Sequence, residues 1–432
     1  MKHSFLPSFD EQGDAAVQYE TIPLLRLEHG GALKSARLGF CVFAEQASMP
    51  VIMLHPALTG SPRAVTAKTP DQGDGWWQDH IGPGRLLDTS LFTVVCVDHL
   101  GGNGWTTGAC ELGVLQGTLT FRDTVRLTAE VLKKRGIHEL FAVVGGSIGG
   151  GQAFEWLYQE EVRVRKIVDI SGSGFHSADV AAFFQLQADI LCGAEAGRRE
   201  LSSALKYNLR DLSSLFFAFD HVCCVLFAEL SALGRSYDPG LALQAARKVG
   251  FLRFVTPRFF QNKYDHYRKK GADHHEALEG LERWLEHQGE RFARRFTAPA
   301  LRELSIMVAQ APPHHPRLLA ALLARHSASL WGFTVQGDVL FRAERQRGYY
   351  RQVRESLPEA ITHSVQLICI TDEVHGHDHF LSRKFASTSE PLRRWLRGER
   401  GNEGDSCGTS LSGGNRRGNS ADLLDLNLPE RQ

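Results

Sequence analysis

Charge of one sign is missing from this chain. Among 432 residues, Lys plus Arg number 49 and Asp plus Glu number 49. There is no electrostatic footprint for nucleic acid or for an anionic membrane surface, and neither is expected as a partner. Cysteine is sparse and unpatterned: eight residues, single apart from Cys223 and Cys224, with no CxxC spacing. That argues against a disulfide framework and for reduced, mostly buried thiols. The opening MKHSFLPSFDEQGD lacks an apolar core of signal-peptide length. The longest apolar stretch, around Leu215 to Leu230, is broken by Asp220, His221 and Glu229. Those groups favour a buried helix over a bilayer span. A soluble, cytoplasmic protein is expected.

What is present is enough apolar material for a large core, 43% of the chain, together with 19 His. Short apolar runs, Ile22–Leu27, Leu38–Ala44, Val51–Leu54, Phe92–Asp98, Leu140–Val144 and Val164–Ser171, read as strands. Between the later ones lie helical patterns, Phe121–Lys134 and Ile148–Tyr158. The alternation predicts a mostly parallel sheet covered on both faces. From Gly174 to His326 the pattern turns helical, and the strand runs Leu330–Val335 and Val365–Ile370 then return. The expected organisation is a core in two parts, 1–173 and 327–397, with a helical lid, 174–326, inserted between them. The Gly-, Ser- and Asn-rich end, 398–432, reads as a disordered tail.

The strongest chemical signal is Gly145-Gly146-Ser147-Ile148-Gly149, directly after the strand LFAVV and before a helix. G-x-S-x-G in that context places a serine on a sharp strand-to-helix turn, with glycines where side chains would collide. A hydroxyl needs a base beside it, and the base needs an orienting acid. In strand–turn–helix enzymes of this kind the order is Ser, then Asp or Glu, then His. Asp338 follows the run Leu330–Val335, and His377 lies just past Val365–Ile370. Asp372 also follows an apolar strand, and it and Asp378 are alternatives for the acid. The crowded His375, His377, Asp378 and His379 have a rival reading as zinc ligands, but no distant pair completes a tetrahedral set, and no metal is expected. The oxyanion donors are expected to be the backbone N–H groups of Ile148 and, from the loop His55–Gly60, of Leu58.

Five stretches together resemble the homoserine O-acetyltransferase family of the α/β-hydrolase superfamily: LHPALTG (54–60), GWWQDHIGPGRLLDT (75–89), GGSIGGGQAFEW (145–156), GDVLF (337–341) and GHDHFL (376–381). HLGGNGWTTG (99–108) is similar to a further Gly-rich loop of that family. The resemblance covers residues 20 to 395. It implies an α/β-hydrolase fold, with a mostly parallel central sheet, helices on both faces and an inserted helical lid. It implies a ping-pong reaction in which Ser147 takes an acyl group from acyl-CoA, acetyl-CoA foremost, and passes it to an amino-acid hydroxyl. No tightly bound cofactor is implied. A homodimer through the lid helices is a further expectation.

The acceptor side departs from the family pattern. Where the family carries an arginine for the substrate carboxylate, VAAFFQLQADIL (180–191) has Phe183, Phe184, Gln185, Gln187 and Ala188 and no Arg. In ERFARRFTAPALREL (290–304), Thr297, Pro299 and Leu301 replace polar members, and Arg295 is the candidate substitute. The expectation is an O-acyltransferase with an altered preference, for a larger, less anionic alcohol. An ester hydrolase that drains the same acyl-enzyme with water is the alternative. A non-catalytic binding protein fits the intact Ser, Asp and His poorly.

Overall fold

A computed structural model describes residues 7–8, 10, 14–44, 49–66, 75–172, 174, 177–192, 238–399 and 411–412. The apolar stretch 215–230 and nearly all of the expected tail lie outside the described residues.

Strands form where the short apolar runs lie: β1 (Gln18–Arg26), β2 (Ala32–Phe43), β3 (Val51–His55), β4 (Thr93–Val97), β5 (Glu139–Leu140), β6 (Ala142–Gly146), β7 (Arg163–Val164), β8 (Lys166–Ile170), β9 (Ser329–Val335) and β10 (Val365–Thr371). A two-residue strand, β11 (Leu411–Ser412), pairs with β10 from within the stretch expected to be a disordered tail, a departure from that expectation. Nine make one sheet in the order β1-β2-β4-β3-β6-β8-β9-β10-β11, while β5 and β7 pair separately. β1 and β2 run antiparallel to each other, as do β2 and β4, and from β4 through β11 the pairing is parallel.

Both faces of the parallel part are covered, which is why these strands read as unbroken apolar runs rather than alternating ones. Side chains still alternate between faces with the two-residue period of a strand. Met53, Val95, Val143 and Ile167 join one core with Val125, Leu132 and Phe154. Ile52, Leu54, Val94, Val144 and Val168 join the other with Trp77, Phe385 and Leu392. Each such fully buried aliphatic side chain contributes about 1.5–3 kcal/mol.

Helices α1 (Phe121–Lys134) and α2 (Ile148–Glu155) follow β4 and β6. α1 starts at Thr120, whose N–H donates to the Asp123 carboxylate, so the first turn is satisfied locally. Between β8 and β9 come α3 (Ala178–Cys192), α4 (Pro239–Phe254), α5 (Pro257–Lys269), α6 (His274–Ala293), α7 (Ala298–Gln310) and α8 (Pro316–His326). α3 packs on α4 and α7, and α6 on α4 and α5. α9 (Ala343–Glu355), α10 (Lys384–Thr388) and α11 (Glu390–Arg397) complete the described helices.

The register aligns the carboxyl ends of the central strands. His55 lies opposite Gly145, Gly146 opposite Ile170, Ile170 opposite Phe333, and Val335 opposite Ile370. In open sheets of this kind, ligands bind in the crevice at those ends.

Candidate active site

Ser147 sits where β6 becomes α2, with φ 57° and ψ −122°, a left-handed conformation that L-residues seldom adopt. The turn is held by close backbone approach on both sides. A Cβ on Gly145 would lie 1.9 Å from the Gly149 carbonyl oxygen, and one on Gly149 would lie 2.4 Å from that of His55. The two glycines therefore let the end of β6, the start of α2 and the end of β3 converge beneath the serine, at the positive N-terminal end of α2.

His377 lies on a 3-10 turn, Gly376–Leu381, beyond β10. Its Nε2 is 2.8 Å from Ser147 Oγ, and its Nδ1 is 2.9 Å from Asp338 Oδ2. In the neutral tautomer that fits both bonds, Nδ1–H donates to Asp338 and Nε2 accepts from the serine. Asp338, past β9, is held by its other oxygen, which accepts the N–H groups of Leu340 and Phe341 at 2.8 Å each. Phe341, Phe254 and Phe380 surround the imidazole, with ring centroids 5.3, 6.0 and 6.0 Å away. Burial by these rings pulls the His377 pKa down, the Asp338 carboxylate pulls it up, and the net shift is upward from 6.5. The arrangement can take a proton from a serine hydroxyl and stabilise the resulting imidazolium.

The loop after β3 approaches the serine from the other side. The Ala57 carbonyl accepts the Gly60 N–H at 2.9 Å and lies 3.0 Å from Nε2 of His99, which fixes the Ala57–Leu58 peptide plane. Because C=O and N–H of a trans peptide point in opposite directions, this aims the Leu58 N–H away from His99. Among the described residues neither the Leu58 nor the Ile148 N–H is engaged in a turn, loop or cap hydrogen bond. Burial holds His99 neutral, its pKa lowered to about 4, and its Nδ1 takes a hydrogen bond from Gln152 at 3.0 Å.

A strained serine between a parallel strand and a helix, joined through histidine to an aspartate two strands further along the sheet, decides the fold. The chain has the α/β-hydrolase fold. Residues 50–192 match the family described as alpha/beta hydrolase fold. The homoserine O-acetyltransferase of Rhodospirillum rubrum is 25% identical over 384 residues, covering 86% of this chain and 84% of that protein. That of Methanocorpusculum labreanum is 28% identical over 306 residues, 66% of this chain but only 55% of that protein. The crystal structure of esterase E22 superposes with a TM-score of 0.67 at 19% identity, covering 88% of this chain and 99% of that one.

Elsewhere in the chain, the histidine-rich turn divides into two clusters. Asp372 Oδ2 lies 2.9 Å from His375 Nδ1 and 2.6 Å from His379 Nδ1, while its Oδ1 accepts the N–H groups of Val374 and His375. Among the described residues these three side chains, without His377 or Asp378, are the group close enough to share an ion. Both Asp372 oxygens and both His379 nitrogens are already engaged, with His379 Nε2 3.1 Å from Thr388 Oγ1. Burial pushes the Asp372 carboxyl up, but the hydrogen bonds from His375 and His379 win and hold it far below the usual carboxylate range.

On the acceptor side, Gln187 does not face the serine. It is consumed between helices, donating to the Ala246 carbonyl at 3.2 Å and accepting from Ser305 Oγ at 2.9 Å. Phe183 stacks edge-on against Phe184 and Phe254, and Gln185 donates to Asp189. Arg295 donates to the Thr59 carbonyl at 3.1 Å, and its guanidinium lies 5.1 Å from the Phe292 ring centroid. Thr297 caps α7, with Pro299 in its first turn.

The residue that the sequence conceals is Arg247, on α4. Its guanidinium lies 4.6, 5.2 and 5.8 Å from the ring centroids of Phe251, Phe292 and Phe254. Phe254 in turn packs on His377. Burial lowers the Arg247 pKa and Asp378 opposes that. Burial raises the Asp378 pKa against the pull of His377 and Arg247. Among the described residues the two side chains make no direct ion pair or hydrogen bond, with each other or with any other group.

Proposed function

We propose that this protein is a serine-nucleophile O-acyltransferase that moves an acetyl group from acetyl-CoA to the side-chain hydroxyl of a free amino acid; its relatives are named homoserine O-acetyltransferase. Ser147 Oγ attacks the thioester carbonyl while its proton passes to His377 Nε2. The Leu58 and Ile148 N–H groups receive the developing oxyanion. The C–S bond breaks, and CoA leaves with the proton that His377 held. The acceptor hydroxyl then gives its proton to His377 and attacks the acyl-enzyme. The bond to Ser147 Oγ breaks, and the serine recovers a proton. Asp338 holds the tautomer and stabilises the imidazolium throughout. Acetyl-CoA is a co-substrate, and no resident cofactor enters.

The observation that carries the transferase reading is Arg247, which shares the Phe254 ring with His377, together with Asp378, which follows His377 in sequence; among the described residues neither charge is ion-paired. A guanidinium and a carboxylate that influence each other electrostatically without pairing offer a carboxylate site and an ammonium site to one zwitterion. Water as acceptor would leave both without a partner. The absence of arginine from α3 is thus offset by one from α4, and an amino acid, rather than a weakly anionic alcohol, is the fitting acceptor.

CoA release from acetyl-CoA, measured with and without L-homoserine, tests this. Release should depend on the acceptor. Arg247→Met should raise the homoserine KM by about ten- to hundredfold, the scale of a lost hydrogen bond to a charged group, and should raise it more than it slows the first half-reaction. CoA release at the same rate without any acceptor would make the protein a hydrolase.

A further inference from the structure

The GWW segment has no part in the chemistry just described, yet its two indoles touch both walls of the site. Trp76 Nε1 donates to the Ser61 carbonyl at 2.9 Å, three residues past Leu58. Trp77 Nε1 donates to the Phe380 carbonyl at 3.0 Å, three residues past His377. The rings stack on each other, with centroids 5.6 Å apart and an interplanar angle of 24°. Two walls that belong to distant parts of the chain are therefore joined through one pair of adjacent side chains.

Each end of the join is fitted closely. A Cβ on Gly60 would lie 3.3 Å from Trp76 Cε2, so the oxyanion loop passes directly under that indole. Trp77 is 1% exposed and packs on His80 and Phe385. The Phe380 ring rests on Gly146, where a Cβ would lie 2.5 Å away, and stands 6.0 Å from the His377 ring. The segment is itself tied to the oxyanion side, with the Gly75 N–H on the Arg63 carbonyl at 2.8 Å and the Trp77 N–H on that of Ala64 at 3.0 Å. Buried indole N–H groups need acceptors, and here each takes a backbone carbonyl from a different wall.

We propose that the stacked Trp76–Trp77 pair is a positioning brace that sets the separation between the oxyanion loop and the His377 turn. The proposal rests on Ser147, His377 and the Leu58 and Ile148 N–H groups acting as described above. It does not depend on which acceptor is used. The aromatic faces hold the spacing, and the two N–H groups fix the ends.

Labelling of Ser147 by a fluorophosphonate probe reads the assembled nucleophile, base and oxyanion site without CoA or acceptor. Trp76→Phe and Trp77→Phe keep an aromatic ring and delete the N–H. Each should slow labelling by about ten- to hundredfold, the scale of an ångström-level misplacement of catalytic groups, at a melting temperature close to that of the parent. The double variant should be no slower than the slower single variant, because either change already releases the brace. If Trp77→Phe does not fold, Trp76→Phe, whose ring is only partly buried, carries the same comparison. Labelling at the parental rate in the folded variants overturns the brace, as does a double-variant loss equal to the product of the single losses. Absence of labelling in the parent protein overturns the Ser147 assignment and the brace with it.

Discussion

Two carboxylates, Asp338 and Asp372, follow neighbouring parallel strands, and both bind histidines of the same short stretch. Asp338 meets one histidine, which meets a serine hydroxyl. Asp372 meets two histidines and two backbone N–H groups, and its cluster ends at Thr388. The difference lies in what remains open. His377 has a nitrogen facing a reactive group, whereas the bonds of Asp372 all close the turn that carries His377. Chemically alike His–Asp contacts thus divide into a relay and a staple.

Removing the serine hydroxyl should have the largest effect. Ser147→Ala leaves both clusters untouched, and turnover should drop by about 10⁶, the scale seen for loss of a nucleophile from a triad; steady-state CoA release measures it. Next, Asp338→Asn should cost about 10⁴ in kcat by favouring the wrong tautomer, with little change in fold. It should also move the pH profile. As the proposed base, His377 would act when neutral, so the rate should climb with pH through a pKa now raised above 6.5. Without the Asp338 charge, burial remains, and the inflection should fall below 6.5.

The smallest effect on rate, and the clearest on stability, belongs to Asp372→Asn. Loss of turn-closing bonds to a buried carboxylate should lower unfolding free energy by about 1–3 kcal/mol and leave kcat within about tenfold of the parent. The Asp372 pKa is depressed on folding, so its contribution is present above its ordinary value of 3.8 and fades as pH falls. Thermal melts of parent and variant should converge in acid. If Asp372→Asn lost activity as Asp338→Asn is expected to, the relay and the staple would have to be exchanged.

Most of the sheet was legible because strands buried on both faces are short, apolar and separated by helical periodicity. α1 falls on Phe121–Lys134 in sequence pattern and structure alike. Ser147 was legible because its glycines answer to backbone collisions that any such turn imposes. The choice between Asp338 and Asp372 was open in one dimension, since each follows an apolar strand; only the distances to His377 separate them. Arg247 gave no sign. It sits in the inserted helices, where periodicity says which face is buried but not against what, and Asp378, whose charge acts on it, lies 131 positions later. Gln187 stands where the family carries a substrate group, yet it bridges to α4 and α7, and nothing in a helix pattern distinguishes a residue facing a ligand from one bridging to its neighbours.

The seam between β8 and β9, where Ile167 lies opposite Leu330, has a consequence for refolding. It joins the stretch of chain that bears Ser147 to the one that bears Asp338 and His377, and the hydrogen-bonded Ser147 and His377 stand 230 positions apart. Contacts of such long sequence separation form late and slowly. Recovery of enzymatic turnover after dilution from denaturant therefore serves as a clock for closure of that seam, and should lag behind the return of helical signal.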